Sequence, residues 1–384
     1  MENVLAILMA GGAGERLHPL TKETAKPAVP FGGVYRLIDF TLSNCINSGA
    51  RHILVLTQYK ALDLIRHVRD GWNILSPELG EYIEVLPPMK RVHEDWYQGT
   101  ADAVFQNFQS IEAESPDLTL ILAGDHIYKM NYREMLDRHQ RLHADVTIAT
   151  IQVSPEEAGR YGVAEIDADH RIIGFEEKPQ HGNPKRSAFD PTMVSASMGI
   201  YVFDTRVLLE ALHEDAEDAN SSHDFGKDVL PRQLNRRRVV AYDFRDMNAK
   251  QVRYWRDVGT LDAYYDANMD LVDVEPLFNL YDRRWPVRTN LTQQPPAKFV
   301  FAQEGRRMGV AMDSIVSAGL LAALKLPMFT VCGLGINVYS SDLATWNTKP
   351  TDIARVISVS RLGRNLGLII ALLHAEPFGS LLRN

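Results

Sequence analysis

Val4-Leu5-Ala6-Ile7-Leu8-Met9-Ala10-Gly11-Gly12-Ala13-Gly14-Glu15-Arg16-Leu17 opens the chain, and everything after it is organised around this stretch. An apolar run bounded by glycines reads as a buried strand ending in a turn. Cations follow closely, at Arg16, Lys22 and in Lys26-Pro27-Ala28-Val29. Glycines let backbone N–H groups approach a ligand, and such groups beside fixed cations form a phosphate cradle. Two commoner motifs are excluded by the letters: the dinucleotide fingerprint needs glycine where Leu17 stands, and no Gly-Lys-Ser/Thr follows to make a P-loop. Taken alone, the stretch also fits a tight turn that carries an arginine.

Working outward, Leu37 to Ser48 reads as a helix closed by Gly49, and His52 to Thr57 as the next strand, which makes a β-α-β opening. The alternation continues with a helix over Ala61 to Asp70, a strand over Tyr82 to Leu86 and a helix over Thr100 to Ile111. Leu118 to Ala123 is a continuous apolar run ending in Gly124-Asp125, the signature of a buried parallel strand. A helix over Tyr132 to His143 and a strand over Asp145 to Val153 follow; strands over Ile172 to Glu176, Gly199 to Phe203 and Val239 to Phe244 come later. This order predicts an α/β fold with a mostly parallel sheet and helices on both faces. Ligands of such sheets bind beyond the carboxyl ends of the strands, where the Gly11 loop and Asp125 both belong. Pro295-Pro296 is the clearest linker signal, and Val310 to Gly319 has a small-residue rhythm that could begin a β-solenoid coil.

A chain of 384 residues suggests two to three domains. Its 45% hydrophobic and 23% charged residues are ordinary globular values. The net charge of -8 excludes nucleic acid as the main partner, so any phosphate ligand must be met by local cations. Cys45 and Cys332 form no disulfide framework and fit a reducing cytoplasm. Met1 to Met9 lacks a basic start and is read as a strand and not a signal peptide; Leu366 to Leu373 is too short to span a bilayer.

Asp125 and Asp257, the latter in Tyr254-Trp255-Arg256-Asp257-Val258-Gly259-Thr260, form a Mg²⁺ pair if the fold unites them, since that ion takes one or two carboxylates plus phosphate oxygens. The same residues also suit a helix cap at Asp125 and an Asp257–Arg256 pair. Lys178, held before Pro179, could neutralise a sugar phosphate or stand solvated beside Glu176 and Glu177. Tyr97 precedes a helix whose amino terminus offers N–H groups, and it could face a base or simply be core. His223-Asp224-Phe225-Gly226-Lys227-Asp228 suits hydroxyl recognition or a helix start. No Ser-His-Asp or Cys-His arrangement stands out, and phosphoryl or nucleotidyl transfer needs none, because positioning and charge neutralisation carry it.

Ten strings in one order carry a resemblance over residues 1 to about 319. They are the Gly11 to Leu17 loop, Lys26 to Val29, Arg36-Leu37-Ile38-Asp39-Phe40, Ser43 to Gly49, Trp96-Tyr97 before Gly99-Thr100-Ala101-Asp102, Ala123 to Tyr128, Glu177-Lys178-Pro179, Ser197 to Tyr201, His223 to Asp228 and Tyr254 to Thr260. Together they resemble the bacterial glucose-1-phosphate adenylyltransferases. The resemblance implies a Rossmann-like nucleotidyltransferase domain at 1–285, a linker and β-helix start at 286–319, and a truncated or aberrant left-handed β-helix domain with an atypical tail at 320–384. It implies ATP and glucose 1-phosphate as substrates, ADP-glucose and pyrophosphate as products, Mg²⁺ as cofactor, a role in glycogen synthesis, cytoplasmic location and a homotetramer. Gly11, Gly12, Gly14, Arg16, Lys26, Tyr97 and Gly99 would hold ATP, and Arg16, Asp125 and Lys178 would be catalytic. Asp125 and Asp257 would bind metal, and Tyr97, Gly162, Glu177, Lys178, Ser197, Asp224 and Trp255 would shape the sugar phosphate site. Two departures stand out. Val34 replaces a lysine that takes part in activation by a sugar bisphosphate in many enterobacterial members. Leu320 to Asn384 lacks hexapeptide repeats and is read as a frame-shifted or otherwise replaced carboxyl terminus.

Overall fold

The computed structural model describes residues 3–12, 14–88, 96–179, 185–187, 190–248, 250, 252–291, 293, 298–299, 315 and 320–321. The chain begins with β1 (Val4–Met9), a small hairpin of β2 (Pro30–Phe31) and β3 (Tyr35–Arg36), α1 (Leu37–Ser48), β4 (His52–Leu56), α2 (Leu62–Gly71) and β5 (Tyr82–Leu86). It continues with α3 (Thr100–Phe105), α4 (Phe108–Glu114), β6 (Leu118–Ala123), β7 (His126–Tyr128), α5 (Tyr132–Arg141) and β8 (Val146–Val153). The second half holds β9 (Gly162–Ile166), β10 (Ile172–Glu177), β11 (Val194–Asp204), α6 (Thr205–Ala216), α7 (Leu230–Gln233), β12 (Val239–Asp243), β13 (Trp255–Asp257) and α8 (Leu261–Met269). Two short strands follow, β14 (Lys298–Phe299) and β15 (Leu320–Leu321), paired in parallel.

Among the described residues one nine-stranded sheet runs in the order β10-β9-β11-β6-β1-β4-β5, with β8 against β11 and β12 against β8. The centre is parallel, as the buried apolar runs require: β6, β1, β4 and β5 all point the same way. The departure is β11, which runs antiparallel to β6, β8 and β9 and bends at a register shift between Ser197 and Tyr201. Gly199 sits in that bend at φ 67°, a conformation an L side chain rarely adopts.

Period-2 alternation in β1 feeds two cores. Val4, Ala6 and Leu8 join one cluster with Ile38, Leu42 and Cys45 of α1, Leu64 and Val68 of α2, and Met135 and Leu136 of α5. Leu5 and Ile7 join the opposite cluster with Val104 and Phe105 of α3 and Val207 and Leu208 of α6. Helices therefore cover both faces, and each fully buried aliphatic side chain contributes roughly 1.5–3 kcal/mol. A third cluster, Val29, Phe31, Leu37, Phe40, Tyr254, Leu271 and Phe278, lies beside the β2–β3 hairpin and fastens the late segment to the early loop; Ile315 packs against it.

Several expected boundaries move. The helix over Thr100 to Ile111 is two helices, because Asn107 turns its amide back onto the Ala103 carbonyl at 2.8 Å and competes with the helical ladder. The strand expected over Gly199 to Phe203 begins earlier, at Val194, on the far side of the glycine bend. The helix expected to reach His143 ends at Arg141, and His143 itself takes φ 46°. The Pro295-Pro296 linker signal, the solenoid rhythm of Val310 to Gly319 apart from Ile315, and the atypical tail beyond Leu321 lie outside the described residues.

Candidate active site

The carboxyl ends of β1 and β6 are joined by a hydrogen bond from Gly124 N to Met9 O at 3.1 Å, which brings the Gly11 loop and Asp125 to one edge of the sheet. Beyond β1 the chain passes Gly14 at φ 63°, turns through Glu15–Leu17 and is braced by Thr21, whose Oγ1 donates to Gly14 O at 2.8 Å. A Cβ on Gly14 would lie 2.9 Å from Thr21 and 3.0 Å from Lys26, so the loop closes only with glycine there. A Cβ on Gly11 would meet Gln58 at 2.9 Å, whereas Gly12 faces open space.

Lys26 is buried in a short turn, and its Nζ lies 2.8 Å from Asp125 Oδ2 and 3.4 Å from Asp257 Oδ1. The antiparallel pairing of β13 with β7 sets this up by placing Asp257 opposite His126. His126 Nε2 faces Asp125 Oδ1 at 3.6 Å and Asp257 Oδ1 at 3.9 Å. Burial by itself would lower the Lys26 pKa, but the two carboxylates outweigh it and hold the ammonium above its ordinary value. Burial would likewise raise Asp125, yet Lys26 and His126 bring it down to about 2. Both alternatives drawn from the letters fail here: a strand and not a helix follows Asp125, and Arg256 pairs with Asp270 at 3.0 Å instead of Asp257. Arg16 reaches the same place, its Nη2 being 3.1 Å from where a Cβ on Gly259 would sit. The donor set is two carboxylates, hard oxygen ligands suited to Mg²⁺ with water and phosphate completing the shell. Among the described residues no group of three or more His, Cys, Asp or Glu could hold a metal by itself.

The loops on the other side of the cleft are tied to each other. Ala101 N donates to His223 O at 2.8 Å, Thr100 Oγ1 donates to Asp224 Oδ2 at 3.0 Å, and Phe225 N donates to Thr100 Oγ1 at 3.0 Å. The amino terminus of α3 is thus already occupied by a backbone carbonyl. A side chain on Gly99 would overlap that carbonyl. His223 holds φ 55° with its Nδ1 2.8 Å from Asp215 Oδ2. Tyr97 is half-buried against the second core, its hydroxyl accepting from Asn107 Nδ2 at 3.0 Å.

Asp224 caps the π-helical turn Phe225–Val229, accepting from Gly226 N and Lys227 N at 2.9 and 3.1 Å, so the helix-start reading holds for its Oδ1. Glu177 lies against Gly162 and Gly226, where added Cβ atoms would come within 2.7 and 2.5 Å of its Oε2. Lys178, at φ 47°, pairs with Glu177 Oε1 at 3.0 Å, and its side chain is 60% exposed. Ser197 is buried at the β11 bend and accepts from Gly199 N at 3.3 Å. Trp255 is buried, edge-on to His126 and Tyr161 at 5.1 and 5.2 Å. Lys178 N donates to Tyr161 O at 3.0 Å, which connects the sugar side to the metal side through these rings. Gln58, His126, Tyr161 and His223 carry no assigned role in the linear motifs; for His126 the only signal in the letters was its place directly after Asp125.

A Rossmann-like sheet with a glycine loop, a buried lysine and two carboxylates at its carboxyl edge defines a nucleotide-handling transferase. The nucleotidyl transferase family matches residues 5–274. The chain is 59% identical over 324 residues to the glucose-1-phosphate adenylyltransferase of Koribacter versatilis, covering 84% of this chain and 77% of that protein. Identity is 52% over 343 residues to the enzyme of that name from Rhodopirellula baltica, with 88% and 76% covered. It is 49% over 366 residues to that of Methylobacillus flagellatus, with 94% and 85% covered, an alignment that takes in part of the segment after residue 319. The chain belongs to the nucleotidyl transferase family and, within it, to the glucose-1-phosphate adenylyltransferases. Among the described residues no helix is long and apolar enough to cross a membrane.

Proposed function

We propose that this enzyme transfers the adenylyl group of ATP to α-D-glucose 1-phosphate, giving ADP-glucose and pyrophosphate for glycogen synthesis. The observation that carries the reading is the meeting of Lys26, Asp125 and Asp257 at the carboxyl edge of the sheet, in a chain about half identical to enzymes of that name. A phosphate oxygen of the sugar phosphate attacks the α-phosphorus in line; the new P–O bond forms as the bond to the β-phosphate bridging oxygen breaks, and pyrophosphate departs with that electron pair. Bound Mg²⁺, held by Asp125 and Asp257, would offset charge on the phosphates. Arg16 and Lys26 lie where they can take up charge on the leaving pyrophosphate, with Gly11, Gly12 and Gly14 letting the backbone close on the triphosphate. Tyr97 and Gly99 border the nucleotide. Lys178 provides a cation for the sugar phosphate, while Gly162 lets Glu177 pack close to the backbone at the sugar site shared with Ser197, Asp224 and Trp255. No covalent intermediate is needed.

Val34 stands where activation by a sugar bisphosphate would call for lysine, so we propose that this enzyme does not use that activator. Residues 1–285 are assigned to catalysis and 286–319 to a linker and β-helix start. Residues 320–384 are read as a frame-shifted or otherwise replaced carboxyl terminus, and resequencing the gene tests that reading directly. The decisive experiment is a pyrophosphate-release assay with glucose 1-phosphate, Mg²⁺ and each nucleoside triphosphate, with mass measured in parallel to test the tetramer. Turnover with ATP supports the reading; preference for UTP or dTTP replaces it with the corresponding transferase, and no turnover with any of them points to a regulatory subunit.

A further inference from the structure

We infer that Lys26 and a divalent cation are alternative occupants of the space between Asp125 and Asp257, with His126 holding the two carboxylates while the occupants exchange. The inference rests on reading those aspartates as the metal pair. The Lys26 ammonium bridges one oxygen of each carboxylate, at 2.8 and 3.4 Å, as a divalent ion bound by both would. Lys26 is only 8% exposed, and Gly14 stands against its stem, so the ammonium cannot simply swing into bulk water. Two cations confined to one small space repel, so metal entry requires the ammonium to leave. An ammonium released without a partner in a buried place is costly, and the nearest new partner is a phosphate oxygen of the nucleotide. Metal and triphosphate are therefore coupled: each binds weakly until the other is present.

His126 is built to stay. Its Nε2 faces Asp125 Oδ1, the oxygen that Lys26 does not use, so that contact outlasts the departure of the lysine, while at Asp257 it faces from 3.9 Å the same Oδ1 that Lys26 vacates. The ring is packed against Trp255, which lies edge-on at 5.1 Å. Its Nδ1 is buried and has no hydrogen-bond partner among the described residues, so the ring's orientation rests on that packing and on the carboxylates. This makes His126 a positioning residue, acting on substrate only through the aspartates.

The test is Mn²⁺ binding to the full, nucleotide-free chain, followed by electron paramagnetic resonance, which reads metal occupancy without turnover. Lys26→Met should tighten Mn²⁺ binding at least about tenfold, because a like charge leaves the site. His126→Asn should weaken it about tenfold or more in either background. Asp125→Asn should abolish the site that Lys26→Met strengthens. Thermal melts of the same samples check folding, and Lys26→Gln replaces Lys26→Met if the latter does not fold. If Asp125→Asn abolishes binding but neither Lys26 variant tightens it, the exchange is wrong and the metal pair survives. If the Lys26 variants tighten binding but His126→Asn leaves it unchanged, His126 has no positioning role. If Mn²⁺ binding ignores Asp125→Asn in every background, the metal pair itself is wrong and the inference falls with it.

Discussion

The two sides of the cleft satisfy their charges differently. On the metal side a buried lysine is clamped between two partly buried carboxylates, one from the turn after β6 and one from β13. On the sugar side Lys178 is largely exposed and paired with its neighbour Glu177, while Asp224 spends its oxygens on a helical turn and on Thr100. Charges packed against each other are organised before any ligand arrives; an exposed pair is worth about 0–1 kcal/mol and yields easily to a better partner. The two carboxylates of the metal side are accordingly positioned in advance around Lys26, and the sugar side is completed by its substrate.

The largest break in that contrast should come from Asp125→Asn. It removes a preorganised charge and should lower turnover by about two to three orders of magnitude in the pyrophosphate-release assay, with the fold kept and a stability loss on the order of 2 kcal/mol at pH 7. Near-normal turnover would remove Asp125 from the mechanism. Gly99→Ala, which forces a side chain onto the His223 carbonyl, should destabilise the protein by about 3 kcal/mol in urea titration and raise the KM of both substrates, because it parts the two tied loops. Lys178→Met should raise the KM for glucose 1-phosphate by about tenfold to a hundredfold while leaving stability within about 1 kcal/mol. A loss of stability equal to that of Gly99→Ala would mean the sugar side is preformed after all.

The smallest effect concerns pH. Asp125, held down at about 2, contributes stability that is fully present above the ordinary carboxylate range and is lost as pH falls through about 2. Lys26, held above its ordinary value, contributes stability that is full below about 10.5 and is lost only as pH rises through its raised pKa. Between roughly pH 5 and 9 the clamp keeps its charge, so neither group should produce a limb in the kcat/KM profile there. Between pH 7 and pH 3, denaturant titrations should show the wild type losing on the order of 1 kcal/mol that Asp125→Asn does not lose, the remainder going only as pH falls through about 2. An equal acid loss in both proteins would show that the aspartate is not held down.

Much of this was legible in the letters for local reasons. Val4–Met9 and Leu118–Ala123 were readable because burial on both faces leaves an unbroken apolar run. Helix α1 was readable because Gly49 stops it at φ 90°. The break after Phe105 was not, since it depends on where the Asn107 side chain turns. Asp224 looked like a sugar ligand and like a cap, and one carboxylate oxygen turned out to cap while the other holds Thr100.

By itself the sequence determined the order of strands and helices, the glycine loop, and which side chains could carry charge, because these depend on periodicity and on the conformational freedom of single residues. Only the tertiary structure decided which charges meet. Lys26 and Asp257 stand 231 positions apart, and their 3.4 Å approach exists because β13 pairs with β7 and the third core cluster holds the late segment against the early loop. Whether a lysine is a solvated cation or a clamp depends on burial and partners, and both are properties of packing.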